Sequence, residues 1–357
     1  MREKFIQLII ILVALLAGIF GTLYFTSKDN DGNQVIKTNK NITIKENETI
    51  NESVKKIYNA VVVVESYKQT TLAGSGSGFI YKKEGKYGYI LTNYHVVDGA
   101  SSLKIVSMNG EEVEAEYLGG DSYADIAVIR IAADKVLDVA TIGDSTKAKL
   151  GDTVFTVGTP VNREYIGSVT KGIVSGESRT ITVSDNNRGN YMMEVLQTDA
   201  SINPGNSGGP LVNINGEVIG ITSMKLVTDS IEGMGFAIPI EIAMSSVKKL
   251  EKGEKIERPY IGVRLYDLNN TLMLYGANIK VDKSVTNGVV IAQIDDGSSS
   301  SKAGLEVGDV ITEIDGTKVK SAAHLKFILY KHEVGDTVKV KINREGKEKE
   351  ITMKLDK

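Results

Sequence analysis

From Val54 to Ile238 the chain consists almost wholly of strand-length runs, and this excludes more folds than any other feature. Ala60–Val64, Gly74–Ile80, Tyr89–Thr92, Asp125–Ile131 and Thr153–Gly158 are such runs, most of them rich in β-branched or aromatic residues and separated by turns, many of which contain Gly. Asn215-Gly216 sits between Leu211–Ile214 and Glu217–Ile221, the strongest short-range hairpin signal. No helical period lies between the runs. Alternating βαβ units are therefore excluded, and the pattern predicts an all-β sandwich or barrel.

The first helical period comes at Pro239–Lys252, where Ile240, Ala243, Met244, Val247 and Leu250 share a face, with proline at the start and Gly253 at the end. It closes a first domain over residues 54–252. A charged connector, residues 253–259, leads to a second domain over residues 260–357. Runs at Gly288–Ile294 and Val310–Ile314, a helix from Ser321 to Lys331, and runs at Val338–Ile342 and Glu350–Leu355 make this a small α+β unit, large enough to fold alone.

Upstream, Phe5–Phe25 is almost uninterruptedly apolar. As a helix it spans about 31 Å, enough for a bilayer core. Arg2 and Lys4 precede it, so residues 1–27 read as a cytoplasmic stub and a single transmembrane helix, with everything beyond Ser27 outside the cell membrane. A cleaved signal peptide carries a shorter apolar region, about 7–15 residues, so a retained anchor is expected. Residues 28–53 are rich in Asn, Lys, Thr and Glu without a sustained apolar period, and read as a polar linker.

The chemistry gathers at Asn203-Pro204-Gly205-Asn206-Ser207-Gly208-Gly209-Pro210-Leu211. A serine between glycines suits a nucleophile on an exposed turn, and the motif also satisfies the G-x-S-x-G elbow of α/β-hydrolases. A hydroxyl needs a base to take its proton, and histidine fits that task. The chain has three histidines, and of these only His95, after the run Tyr89–Thr92, lies in the β-rich domain. A carboxylate must orient the base. Asp125 opens an apolar run, where an ionised group is costly unless paired, whereas Asp121 beside Gly120 reads as a solvated turn residue and Asp98 is too close to His95 in sequence. The order is therefore His95, Asp125, Ser207. Chymotrypsin-type barrels use this order and α/β-hydrolases run Ser, Asp, His; after Ser207 no histidine follows until His324, in the second domain. The absence of cysteine rules out disulfides, a cysteine nucleophile and thiolate metal sites. With a formal net charge of −3 there is no footprint for nucleic acid. No metal and no cofactor is expected.

Leu91–Val97, Ala124–Val128, Thr198–Leu211 and Gly235–Pro239 together resemble the HtrA (DegP/DegS-like) serine proteases, and the match covers nearly everything from Val54 onward. Tyr94 stands where that family often has asparagine. The second domain resembles the family's PDZ module through Tyr260–Val263 and Lys302–Ile311, and one anchor, one protease and one PDZ is the plan of anchored HtrA proteins in Gram-positive bacteria. The resemblance implies two perpendicular six-stranded β-barrels with the triad between them, and an oxyanion hole formed by the Gly205 and Ser207 N–H groups. It also implies unfolded, misfolded or mislocalised proteins outside the cytoplasm as substrates, a role in quality control and stress response, and a homotrimer. Ser201 and Ile202 before the nucleophile offer no acid to receive Lys or Arg, so cleavage after small or medium apolar residues is expected, with Ile202 and Met234 lining the pocket. A PDZ module adds an extended C-terminus as a strand and holds its carboxylate on backbone N–H groups. Ile261, Gly262 and Val263 are expected to supply these, with Leu325 and Ile328 flanking the groove. Two other readings stand beside the protease: a chaperone or PDZ scaffold whose protease site rests idle, and a non-proteolytic esterase.

Overall fold

The computed structural model describes residues 2–28, 46–160, 163–185, 189–226 and 233–357. The chain divides into two units, Met1–Lys45 and Glu46–Lys357.

In the first unit, α1 runs over Arg2–Lys28. Among the described residues no helix is long and apolar enough to cross a membrane, and the side chains of Ile9 to Tyr24 in α1 are exposed. The span expected over Phe5–Phe25 accordingly rests on the sequence alone.

The second unit opens with α2 (Glu46–Tyr58), which corrects the expectation of a polar linker reaching Ser53. Ile50, Val54 and Ile57 are spaced to share one helical face; Ile50 and Ile57 are buried and Val54 packs on the central core. Ser53 Oγ donates to the Ile214 carbonyl and Lys56 Nζ to that of Asn215 (3.1 Å), so the helix is fastened to a hairpin tip far along the chain.

Six strands then close a barrel in the order β1-β2-β3-β6-β5-β4. They are β1 (Val61–Lys68), β2 (Thr71–Glu84), β3 (Tyr87–Thr92), β4 (Ser102–Ser107), β5 (Glu112–Asp121) and β6 (Ile126–Ala132), with the single turn α3 (Tyr94–Val97) after β3. The second sheet holds β7 (Thr141–Ile142), β8 (Thr153–Gly158), β9 (Ser168–Asp185), β10 (Gly189–Thr198), β11 (Pro210–Asn213), β12 (Glu217–Thr222) and β13 (Gly235–Pro239). Its order is β11-β8-β9-β10-β13-β12-β7, and pairing of β11 with β12 closes six of these strands into a second ring. The Asn215-Gly216 turn joins β11 and β12 as expected.

The apolar runs are continuous because both faces of the strands are covered. Val62, Val64, Ile80, Ile90, Ala127 and Ile129 join a cluster drawn from the first barrel alone. Their neighbours Val61, Phe79, Leu91 and Val128 join a larger one shared with Phe155, Val157, Val212, Ile221 and Ile238 of the second. The shared layer locks the two barrels together. The helix α4 (Ile240–Leu250) adds Ile240, Ala243, Val247 and Leu250 to it.

The last domain is a sheet in the order β14-β15-β16-β18-β19, with β17 on β16. The strands are β14 (Val263–Asp267), β15 (Val289–Ile294), β16 (Val310–Ile314), β17 (Thr317–Lys318), β18 (Thr337–Arg344) and β19 (Lys347–Lys354); the helices are α5 (Thr271–Gly276), α6 (Ser299–Lys302) and α7 (Ala322–Leu329). Their core is separate from that of the barrels.

Candidate active site

His95 is delivered by the turn α3, whose Val96 and Val97 are buried in the first barrel and fix its phase. Asp125 ends the four-residue loop between β5 and β6, closed by pairing of Asp121 with Ile126. Asp125 has φ +56°, a left-handed conformation that Asp tolerates better than most residues but that still costs about 1–3 kcal/mol. Its carboxylate is fully buried and well supplied with donors. Oδ1 takes the His95 backbone N–H at 3.0 Å, Oδ2 lies 2.8 Å from His95 Nδ1, and Ser223 Oγ donates to Oδ2 at 3.0 Å. Asn93 Nδ2 donates to the Asp125 carbonyl at 2.9 Å. An ionised carboxylate only accepts, so His95 Nδ1 is the donor in this contact and Nε2 lies on the other side of the ring from Asp125.

Ser207 follows a turn closed by the Asn206 N–H on the Asn203 carbonyl at 2.9 Å. Pro204 and Gly205 occupy its centre, and Gly205 has φ +100°, as a type II turn requires. A Cβ at Gly205 would stand 2.1 Å from the Thr159 carbonyl oxygen, so only glycine fits. Neither the Gly205 nor the Ser207 N–H has an internal acceptor among the described residues. Both are free to meet an anion. Ser207 Oγ accepts the Met224 N–H at 2.9 Å, and among the described residues no hydrogen bond joins it to His95. Asp125 and His95 are thus paired while Ser207 is turned to a neighbouring backbone donor.

Several residues of the site gave no sequence signal. Ser77, within the Gly74–Gly78 run, docks the first barrel on the Ser207 loop: its N–H donates to the Ser207 carbonyl (2.8 Å), its Oγ donates to that of Gly205 (2.7 Å) and accepts the Thr159 N–H (3.2 Å). Beside it, a Cβ on Gly76 would stand 2.8 Å from the Ser207 carbonyl oxygen. Ser223, behind Asp125, was equally silent, since its role depends on a partner 98 positions away. Asp121 corrects the expectation of a solvated turn residue: it is 2% exposed, caps the Tyr123 and Ala124 N–H groups (3.0 and 3.1 Å) and is paired with Arg258.

Of the expected pocket residues, Ile202 is half-buried and lies against Gly235, where an added Cβ would meet its side chain at 2.6 Å; Met234 is exposed. His324 and His332 lie in the last domain. Burial, with Lys320 and Lys331 nearby, holds the His324 pKa below its ordinary value, and its Nδ1 accepts the Lys320 N–H (3.2 Å).

A groove of about 310 Å³ runs between the edge strand β14 and α7, lined by Ile261, Val263, Leu265, Leu325 and Leu329 among others. Leu325 and Leu329, four apart, face it. Of the expected flanking pair, Leu325 lines the groove, and Leu329, one position beyond Ile328, lines it where Ile328 was expected; all three also belong to the domain core. The Ile261 and Gly262 N–H groups have no internal acceptor among the described residues, and Gly262, at φ +68°, has its carbonyl held by the Asp295 N–H (2.9 Å).

Residues 76–221 match the trypsin-like peptidase domain and residues 259–355 the PDZ domain. The chain is similar to Serine protease Do-like HtrA of Lactococcus lactis subsp. cremoris (strain MG1363), 39% identical over 345 residues that cover 89% of this chain and 85% of that one. It is 45% identical to Serine protease Do-like HtrA of Bacillus subtilis (strain 168) over 297 residues, 81% of this chain and 65% of that one. Among solved structures, the serine endoprotease from Yersinia pestis matches with a TM-score of 0.64 at 29% identity, over 86% of this chain and 97% of that one. The HtrA-type protease AlgW with decapeptide matches at 0.66 and 27% identity, over 86% and 98%.

Proposed function

Because the chain belongs to the HtrA family of serine proteases, with one trypsin-like domain and one PDZ domain, we propose that Ser207, His95 and Asp125 form its catalytic triad and that unfolded or mislocalised proteins outside the cytoplasm are its substrates. As a serine endopeptidase it must raise the nucleophilicity of a hydroxyl and stabilise an oxyanion. The observation that carries the residue assignment is the fully buried Asp125 carboxylate bound to both the backbone N–H and Nδ1 of His95.

In this reading, rotation about the Ser207 Cα–Cβ bond to another staggered well moves Oγ from the Met224 N–H to His95 Nε2. His95 then takes the proton as Oγ attacks the peptide carbonyl. The negative charge develops on the carbonyl oxygen between the Gly205 and Ser207 N–H groups. His95 returns the proton to the departing amine, and water repeats the sequence on the acyl-enzyme. Asp125 holds His95 in the Nδ1–H tautomer and stabilises the imidazolium. Ile202 against Gly235 favours a small or medium apolar side chain before the cleaved bond, with Met234 at the rim.

The β14–α7 groove suits an extended C-terminal tail, with the Ile261, Gly262 and Val263 N–H groups at its carboxylate and Leu325 and Leu329 along its side. The apolar run Phe5–Phe25 supports a single-pass anchor with a cytoplasmic N-terminus and both folded domains extracellular; an apolar helix exposed to water is unfavourable. Association as a homotrimer belongs to the same reading. Turnover of unfolded casein and of a small ester, with and without a tail peptide, tests the activity. Peptide hydrolysis is expected. Ester hydrolysis alone, or binding of unfolded chains without cleavage, contradicts it. Detergent-dependent release from membranes tests the anchor, and light scattering in detergent tests the trimer.

A further inference from the structure

The residue that completes the setting of Asp125 lies in the connector between the domains. Asp121 closes the loop Ser122–Asp125: its Oδ1 takes the Tyr123 and Ala124 N–H groups, and its Oδ2 the Arg258 guanidinium. The carboxylate is 1% exposed and the Arg258 side chain 21%. A buried carboxylate stripped of its counter-charge is strongly destabilised, so Arg258 makes Asp121 tenable as the loop's cap.

Arg258 is itself held. Its guanidinium lies over the Tyr123 ring (4.7 Å) and the Tyr330 ring (5.3 Å), and the two rings meet edge to face at 4.7 Å. Tyr330 follows the last residue of α7 in the PDZ domain, and Tyr123 belongs to the acid-bearing loop, where its hydroxyl donates to the Met192 carbonyl of β10 at 2.6 Å. Asp125 sits at the end of this loop with φ +56°. A backbone conformation of this kind persists only where its surroundings over-determine it.

We infer that Arg258 is a positioning residue for the reaction: through Asp121 it fixes the loop that presents Asp125 to His95, and Tyr330 of the PDZ domain holds it in place. The inference rests on the triad reading above and adds to it that the protease domain borrows part of its active-site support from the connector and the PDZ domain. Arg serves here better than Lys, because one planar group both pairs with Asp121 and lies over two rings.

The test uses the full-length chain in detergent micelles, with kcat and KM measured on fluorescent unfolded casein and the labelling rate measured with a small fluorophosphonate. Arg258→Ala is expected to lower kcat about 10–100-fold, the scale of a small misplacement of a reacting group, with KM within about two-fold and the labelling rate falling in parallel. Arg258→Lys restores part of the loss. Tyr330→Ala lowers both rates about 3-fold, on the scale of a lost cation–π contact. Lys302→Ala, which breaks the surface pair with Asp356, leaves both unchanged. Unchanged kcat and labelling in Arg258→Ala, or a loss confined to KM, overturns the inference and leaves Arg258 as a domain fastener. Should Arg258→Ala fail to fold, Tyr330→Ala decides, and wild-type rates there overturn it. Wild-type protein that is not labelled at Ser207 refutes the triad reading instead.

Discussion

Ser77 Oγ donates a 2.7 Å hydrogen bond to the Gly205 carbonyl, tying a strand of the first barrel to the turn that leads into Ser207. Ser77 is fully buried and also accepts the Thr159 N–H. Ser77→Ala leaves the Thr159 N–H without its acceptor, at a cost of about 1–3 kcal/mol. The Gly205 carbonyl loses its restraint and the Gly205 N–H on the adjoining peptide is held less firmly, so kcat is expected to fall about 10-fold with KM little changed, less than the roughly 10²–10³ of a lost oxyanion donor. Steady-state kinetics and a thermal melt on the same preparation read both effects.

A second contact between the barrel and the loop before β9 gives a pH dependence. Arg163 pairs bidentately with the buried Glu65 carboxylate (2.5 and 2.6 Å), which also accepts the Tyr67 hydroxyl. The guanidinium holds the Glu65 pKa below its ordinary value, outweighing burial, which pushes it up. The folded pKa lies below the unfolded one, so the stabilisation is fully present above the unfolded value of 4.5 and is lost as pH falls through the folded value. Arg163→Ala is expected to cost about 2–4 kcal/mol at pH 7, below the upper end for a buried pair because Arg163 is half exposed. The deficit shrinks toward pH 3. Urea midpoints at pH 7 and at several acidic values check the sign.

Gly262→Ala separates tail binding from catalysis. The added Cβ would stand 2.2 Å from Ser298 Cβ at a backbone of φ +68°, so the loop before β14 must shift. Fluorescence anisotropy with a labelled C-terminal tail peptide is expected to show binding weakened at least about 10-fold, the effect of about 1.4 kcal/mol. Fluorophosphonate labelling of Ser207 stays within about two-fold. Unchanged peptide affinity contradicts the assignment of the groove.

Much of this architecture was legible in the sequence, because the features concerned are local. Runs such as Ala60–Val64 and Thr153–Gly158 appear as strands at nearly the expected places, and His95 beside Asp125 follows from the scarcity of histidine and the cost of a carboxylate in an apolar run. What escaped depends on partners distant in the chain. Asp121 is buried by Arg258, 137 positions on, and nothing beside Gly120 announces this. Ser77 was one serine in a Gly-Ser run until Ser207 folded against it. The helix α2 was hidden by its polar composition, since Ile50, Val54 and Ile57 suffice to seat it. The shift from Ile328 to Leu329 in the groove is a matter of helix phase, which a short helix with apolar residues at 325, 327, 328 and 329 does not declare.

In the proposed mechanism Ser207, activated by His95 and Asp125, is the nucleophile of a peptidase. Fluorophosphonate labelling of the full-length chain followed by peptide mapping identifies the nucleophile, with casein hydrolysis followed in parallel for the wild type and Ser207→Ala. One adduct is expected, on Ser207, with loss of both labelling and hydrolysis in the variant and an unchanged thermal melt. An adduct on another residue, or casein hydrolysis by Ser207→Ala at the wild-type rate, would contradict it.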